Sequence, residues 1–307
     1  MATGPRLLAL VGPTACGKTD AGIALARSLG TEICSVDSML VYRGMDIGTA
    51  KPTAQQRGLV RHHLLDLAEP SERFTVARYQ ALGREAISGI RARGLPPLLV
   101  GGSGLYFRAL ADELIFPGED PSVRAQLEDE AQAVGVGRLF RRLEDLDPVA
   151  AAKIEPGNVR RVVRALEVAA ITGSPFSAFA ADWDRYDPAR VLVAGVAVEA
   201  RTLAARIADR VAAMFAAGWL DEVRGLVGRG FGAWLTSSQA IGYAELVRHL
   251  DGRLSLEEAW EGTVRRTKGL ARRQMAWFRR DPRIHWFEAG EGGAVEVVDD
   301  MRAFLTS

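Results

Sequence analysis

The amino-acid sequence predicts an α/β fold with a parallel sheet core, a helical insertion and a helical C-terminal part. Three observations predict it. Short apolar runs alternate with helix-periodic stretches over the first hundred residues, as in strands buried on both faces and joined by crossovers. From Asp120 to Gly173 no strand signal interrupts the helical pattern. A buried-strand run, Val191 to Val198 (VLVAGVAV), then resumes ahead of a mainly helical remainder.

Taken in order, Leu7 to Val11 is a continuous apolar run and reads as the first strand. Gly12 to Thr19 is a turn. Lys18 to Leu29 carries Ala21, Ala24, Leu25 and Leu29 at helical spacing, with Gly30 as C-cap. Glu32 to Val36 is the second strand and ends at Asp37. A helix over Val76 to Arg93 and the turn Gly94-Leu95-Pro96-Pro97 lead to the third strand, Leu98 to Val100, which ends in Gly101-Gly102. Gly12, Asp37 and Gly101 thus lie at the carboxyl ends of strands, where parallel sheets bind their ligands.

Asp120-Pro121 and Asp147-Pro148 each pair an N-cap with a first-turn proline. Asn158 caps a further helix with Val162, Val163, Leu166 and Ala170 on one face and Gly173 at its end. Beyond the resumed strand, Leu203, Ile207, Val211, Met214 and Phe215 form one helical stripe. Leu256 to Arg280 forms another long helix, and Arg283 to Phe287 a last short strand. The expected organisation is a core from residues 1–119 and 180–307 and an insertion from 120–179, without internal repeats or a low-complexity linker.

The composition is that of an ordinary globular chain: 307 residues, 48% apolar and 25% charged. The 39 basic and 38 acidic residues leave a net charge of +1, which excludes a chain basic all over but not a local basic surface. Only four of those basic residues are lysines (Lys18, Lys51, Lys153, Lys268), so each invites a specific reason. Cys16 and Cys34, even with His62, His63, His249 or His285, match no familiar zinc spacing and suit a reducing, cytoplasmic setting. The N-terminal apolar run is too short for a leader or a membrane span.

Residues 12–19, GPTACGKT, satisfy G-x-x-x-x-G-K-[ST] between a strand and a helix, the context that confirms a phosphate loop. Its glycines let backbone N–H groups close round a phosphate, and the helix N-terminus adds positive charge. Gly12, Pro13, Thr14, Ala15, Cys16, Gly17, Lys18 and Thr19 are therefore the candidate diphosphate site, with Lys18 as mobile cation and the Thr19 hydroxyl as Mg²⁺ ligand. The core is accordingly expected to be P-loop NTPase-like. Asp37, at the same sheet edge, can hold a cation, act as a general base or close a turn. Ser103 can donate a hydrogen bond there or cap a helix starting at Gly104.

GPTACGKT, SVDSMLVYRGMDIGTAKP, HHLLDL, PLLVGGSGLYFRAL, RRVVRALEV, QAIGYAEL and TKGLARRQMAWFRR together resemble the tRNA dimethylallyltransferases, also called isopentenyl-tRNA transferases. The resemblance runs from about Leu7 to Phe287. It implies transfer of a dimethylallyl group from dimethylallyl diphosphate to N6 of adenosine 37, just 3′ of the tRNA anticodon, with Mg²⁺ and without ATP. An allylic diphosphate presents to the loop the same pyrophosphate that a nucleotide would. Asp37 would then accept the N6 proton, with Ser103 orienting base or carboxylate. Lys18, Thr19 with Mg²⁺, and Arg210 would stabilise the leaving diphosphate. Arg206 lies one turn from Arg210, and the resemblance favours Arg210. The family usually has Thr where this chain has Ser103, and a basic residue where it has Ala244.

The partner expected on this reading is the anticodon stem-loop, whose bases splay out readily. Candidate RNA contacts are Asp37, Ser38, Met39, Leu40 and Ser103, then Gln239, Ala240, Ile241, Gly242 and Tyr243, then Arg272, Arg273, Gln274, Trp277 and Arg279. Arg265 to Arg283 holds eight basic residues and one acid. Arg124, Arg160, Arg161, Val162, Val163 and Arg164 form a second candidate surface on the insertion. The chain is expected to act as a monomer away from membranes. A P-loop small-molecule kinase, with the insertion as its lid, is the alternative, and a nucleotide-switched RNA-binding module is a third reading. ADP release accompanying phosphorylation of an acceptor, or RNA binding without a covalent product, would distinguish them.

Overall fold

A computed structural model describes residues 6–112, 114–180, 183–232, 234 and 236–307. Residues 1–5, part of the N-terminal stretch read above as too short for a leader, lie outside them. The chain divides into two compact units, one of Met1–Asp112 with Tyr186–Ser307 and one of Glu113–Arg185. Among the described residues no helix is long and apolar enough to cross a membrane.

The first unit runs β1 (Leu7–Val11), α1 (Lys18–Ser28), β2 (Ile33–Ser35), α2 (Ala54–Leu59), β3 (His62–His63), α3 (Val76–Ala92), β4 (Leu98–Gly101) and α4 (Gly104–Ala111). The second unit is α5 (Pro121–Val134), α6 (Val136–Leu146), α7 (Pro148–Ala151) and α8 (Val159–Thr172). The first then continues with β5 (Val191–Val198), α9 (Ala200–Ala216), α10 (Trp219–Val227), α11 (Tyr243–Leu250), α12 (Leu256–Phe278), β6 (Ile284–Ala289) and α13 (Val298–Leu305). The six strands form one parallel sheet in the order β3-β2-β4-β1-β5-β6.

Register sets where the ligand edge falls. Val11 pairs with Gly101, and Ser35 with Val100, so β1, β4 and β2 end almost flush. The loop after Val11, Asp37 two residues past Ser35 and Ser103 two residues past Gly101 therefore emerge side by side. β1 is buried along its whole length because the sheet is covered on both faces. α1, α9 and α13 pack their apolar faces on it through Ala21, Leu25, Ile207, Val211 and Met301. Burial stabilises by about 1.5–3 kcal/mol for each of the larger side chains and by about 0.8 kcal/mol for the methyl of Ala21.

Helix starts are set by side chains that accept from otherwise unpaired N–H groups. Asp120 accepts from Ser122 and Val123, Asn158 from Arg161, and Asp147 from Ala150. Ser255 and Glu258 cap each other to begin α12. The insertion has its own core of Leu127, Leu139, Leu143, Ile154, Val162, Val163 and Leu166.

Several expectations need correction. The second strand is shorter than expected, Ile33–Ser35, although Glu32 and Val36 at its two ends still exchange backbone hydrogen bonds with β4. β3 went unread, since two residues show no periodicity. The last strand extends to Ala289, where β6 follows β5 to its end at Val198. α12 stops at Phe278 and α7 after one turn.

Candidate active site

The phosphate loop joins the buried end of β1 to α1. Ala15 and Gly17 adopt left-handed φ values of 67° and 91°, the geometry that turns successive N–H groups to one side. A Cβ on Gly17 would lie 3.2 Å from the backbone nitrogen of Ala294, so glycine is required for shape as well as for φ. The loop is held from outside by distant elements. The Thr14 N–H donates to Gln274 Oε1 of α12 at 2.8 Å. Arg210 Nη2 of α9 donates to Thr14 Oγ1 at 2.8 Å. Arg206 donates to the carbonyls of Ala15 and Glu291, and the Ala294 N–H donates to the Cys16 carbonyl. Lys18 Nζ donates to the Pro13 carbonyl at 2.6 Å and lies 3.7 Å from the buried Cys16 sulfur.

Two cavities meet in front of this loop. The first, about 100 Å³, is bordered by Thr14, Lys18, Thr19, Asp37, Arg210 and Gln274 and runs on to Ile33, Ser35, Leu40, Ala50, Pro52 and His62. The second, about 310 Å³, is bordered by Ser38, Met39, Ser103, Gln239, Ile241 and Arg273, among others. Thr14, Thr49, Asp37, Gly102, Arg210 and Gln274 border both. The flush strand ends bring Thr14, Asp37 and Gly102 together, and α9 and α12 add Arg210 and Gln274. Gly102 and Gly104 admit α12, since a Cβ on either would lie 2.4 Å from Gln274 Nε2 or 2.2 Å from the Trp277 ring.

Asp37 is half-buried, and its Oδ1 accepts the Met39 N–H at 2.8 Å, so it closes a turn and also faces both cavities. Burial lowers the Arg210 pKa from its usual value, while the nearby Asp37 carboxylate acts in the opposite direction. An arginine so placed stays charged over the working range of an enzyme. The Ser103 Oγ accepts the Tyr106 N–H at 3.4 Å, capping α4, which leaves its hydroxyl proton free to donate. Burial also lowers the His62 pKa, against the Val60 carbonyl bonded to Nδ1, so the ring in the first cavity favours its neutral form.

The structure separates the predicted residues into groups. Ser38, Met39, Gln239, Ala240, Ile241, Arg273 and Gln274 border the second cavity, and Leu40 the first. Arg272 faces away, lining a groove with Trp260, Arg265 and Lys268. Arg279 is exposed, whereas Trp277 is half-buried against Gly104. Arg160 and Arg161 are exposed on α8. Val162 and Val163 are corrected: they lie in the insertion's own core, as β-branched apolar residues on the inner face of an amphipathic helix should. Arg124 and Arg164 are both tied to the buried carboxylate of Glu167 and keep only part of their surface exposed. Tyr243 is fully buried and donates its hydroxyl to Glu222 at 2.6 Å, so it shapes the site from beneath. Ala240 and Gly242 are buried too.

Sequence reasoning assigned nothing to Thr49, Ala50, Pro52 or His62 as cavity walls, nor to Trp219 and Glu222 of α10. The first four stand in segments whose resemblance was noted without a role. Trp219 and Glu222 carried no motif, and only their three-residue spacing placed them on one helix face.

Comparison with known proteins adds to this geometry. Residues 40–281 match the family described as IPP transferase. The chain is 50% identical over 294 residues to a tRNA dimethylallyltransferase of Streptomyces coelicolor, covering 95% of this chain and 93% of that one. It is 46% identical over 307 residues to the tRNA dimethylallyltransferase of Desulforudis audaxviator, covering 98% and 99%. Among solved structures, the full-length tRNA isopentenylpyrophosphate transferase of Bacillus halodurans is similar at 40% identity and a TM-score of 0.71, covering 98% of this chain and 95% of that one. A eukaryotic dimethylallyltransferase captured acting on tRNA is similar at 25% identity and a TM-score of 0.80, covering 97% and 77%.

Proposed function

Since the chain belongs to the IPP transferase family, we propose that it moves a dimethylallyl group from dimethylallyl diphosphate to N6 of adenosine 37 in tRNA, through the residues that line its two joined cavities. The observation that carries this reading is the shared border. Asp37, Arg210, Thr14 and Gln274 stand between a phosphate loop on one side and a wider chamber walled by Ser103, Gln239 and Arg273 on the other. Such a border lets an allylic diphosphate and a flipped purine meet without either leaving its own binding surface.

The N6 lone pair is delocalised into the purine ring, so the nitrogen attacks well only as its proton is taken up. Asp37 Oδ1 is fixed by the Met39 N–H, which aims the other oxygen; that oxygen accepts the N6 proton and orients the nitrogen toward the allylic carbon. The Ser103 hydroxyl donates to the base or to Asp37 from the next strand end. As the C–O bond breaks, charge gathers on the diphosphate. Lys18 leaves the Pro13 carbonyl to meet it, and Arg210 and the loop N–H groups complete the cradle. Arg206 is spent on loop carbonyls, so Arg210 is the diphosphate ligand of the two.

Mg²⁺ fits this donor set. The Thr19 hydroxyl and the Asp37 carboxylate border the same cavity and are hard oxygen donors. Among the described residues no cluster of three His, Cys, Asp or Glu makes a self-contained site. The ion would thus be held chiefly through the donor's own oxygens, and when bound it would neutralise charge on the leaving group.

Incubation of the purified chain with labelled dimethylallyl diphosphate, Mg²⁺ and an anticodon stem-loop is expected to give N6-dimethylallyladenosine. RNA left unlabelled would overturn the reading, and ADP release from ATP with an acceptor phosphorylated would favour the kinase.

A further inference from the structure

The face of α10 turned to the site carries a carboxylate whose bonding exceeds that of an ordinary surface glutamate. Glu222 Oε2 accepts the N–H groups of Asp46 and Ile47 at 2.8 and 2.7 Å. Its Oε1 accepts the Gly48 N–H at 3.4 Å and the Tyr243 hydroxyl at 2.6 Å. Three successive backbone N–H groups converging on one anion make a nest, here filled by the protein's own side chain. One turn earlier on the same face, Trp219 is buried against two glycines. A Cβ on Gly48 would lie 2.1 Å from its Nε1, and one on Gly242 1.9 Å from its ring. Glu222 and Trp219 therefore grip the same two segments, 46–48 and 242–243.

Those segments lead straight into the walls of the two cavities. Thr49, Ala50 and Pro52, just past the nest, border the cavity that opens on the phosphate loop. Gln239, Ala240 and Ile241, just before Gly242 and Tyr243, border the wider chamber. Gly48 and Trp219 border that chamber themselves. Neither wall belongs to a strand, so the sheet register that fixes the loop, Asp37 and Ser103 does not fix them. The nearest rigid element joined to both is α10.

We infer that Glu222 is a positioning residue: it holds the donor wall at 49–52 and the acceptor wall at 239–241 in one preformed frame, so that both substrates bind without first having to order their walls. The inference rests on the transferase reading above. Glu222 touches neither substrate, and its effect passes through backbone. An amide in its place keeps the volume and can accept from some of the N–H groups, but it loses the negative charge and its NH₂ would face the remaining donors, so the nest opens.

The test is steady-state and single-turnover kinetics of Glu222→Gln with dimethylallyl diphosphate and an anticodon stem-loop. The expected result is a rise of roughly tenfold or more in KM for both substrates, with the single-turnover rate at saturation within about threefold of the parent, because uniform binding is lost and the chemistry is spared. Tyr243→Phe, which removes one of the four bonds and leaves the nest, is expected to show the same pattern more weakly. Unchanged KM values would overturn the inference. So would a fall in rate at unchanged KM, the mark of a misfolded fraction. A parent enzyme that transfers no prenyl group would instead refute the transferase reading itself, so the two failures are distinct. If Glu222→Gln fails to fold, Tyr243→Phe decides.

Discussion

Asp37 carries two tasks: its Oδ1 closes the turn onto Met39, and the residue borders both cavities. Replacement by Asn keeps the turn, because an amide oxygen accepts the same N–H, and removes the base together with the carboxylate charge offered to Mg²⁺. Asp37→Asn is therefore expected to lower single-turnover prenyl transfer by about 10²–10⁴. RNA affinity in a gel-shift assay should stay within about twofold. Transfer within tenfold of the parent would take the proton-accepting role from this residue. Asp37 and Lys18 were legible because strand ends and a glycine-rich loop are written in local patterns. Tyr243 was not, since QAIGY reads equally well as an exposed recognition segment. Only coordinates reveal that its ring lies against Trp219, with centroids 5.5 Å apart, and its hydroxyl against Glu222.

Among the elements, α8 shows how an arginine-rich stretch divides its labour. Arg160 and Arg161 point to solvent, while Arg164 and, from α5, Arg124 converge on Glu167, whose side chain has no exposed surface. Burial pushes the Glu167 pKa up, but the Arg124 and Arg164 hydrogen bonds outweigh it and hold the carboxyl below its ordinary 4.5. A depressed folded-state pKa contributes stability that is present above 4.5 and lost as pH falls through the lower, folded value. Glu167→Gln is thus expected to destabilise the insertion at pH 7 by about 1–3 kcal/mol, since it removes the buried charge on which both guanidinium groups converge, although Arg124 keeps Glu119 and Arg164 keeps the Pro117 and Gly118 carbonyls. In thermal unfolding followed by circular dichroism, the gap between parent and variant should narrow as pH falls below 4.5 through the depressed folded-state value; a gap of constant size would show that the charge is not its source. The helix itself was readable from the Asn158 cap and Gly173. The fate of its arginines was not, because partner choice depends on a carboxylate from the same helix meeting a residue forty-three positions away.

At the scale of the whole molecule, a chain of net charge +1 sets eight basic residues against one acid between Arg265 and Arg283, most of that stretch within α12, and of the eight only Arg283 is buried in ion pairs with Asp112 and Asp281. Affinity for an anticodon stem-loop should therefore be steeply salt-dependent, falling by about 10³-fold between 50 and 200 mM salt if six phosphates are neutralised. A flat dependence in a filter-binding titration would mean that these arginines do not meet phosphate. The parallel sheet was legible from its apolar runs, and so was the site at its carboxyl edge. The pairing of α12 with the phosphate loop was not, because Gln274 stands 260 residues from the Thr14 it contacts. That rod has 23 residues and spans about 34 Å, with Thr263, Thr267, Leu270 and Gln274 along one side and Val264, Lys268 and Arg272 along another. A codon lost near its middle would swing everything downstream about 100° about the axis. The arginines on the distal half would remain, yet the amide that props the loop would face the wrong way. Such an in-frame lesion should cost more than the removal of any single cation it displaces.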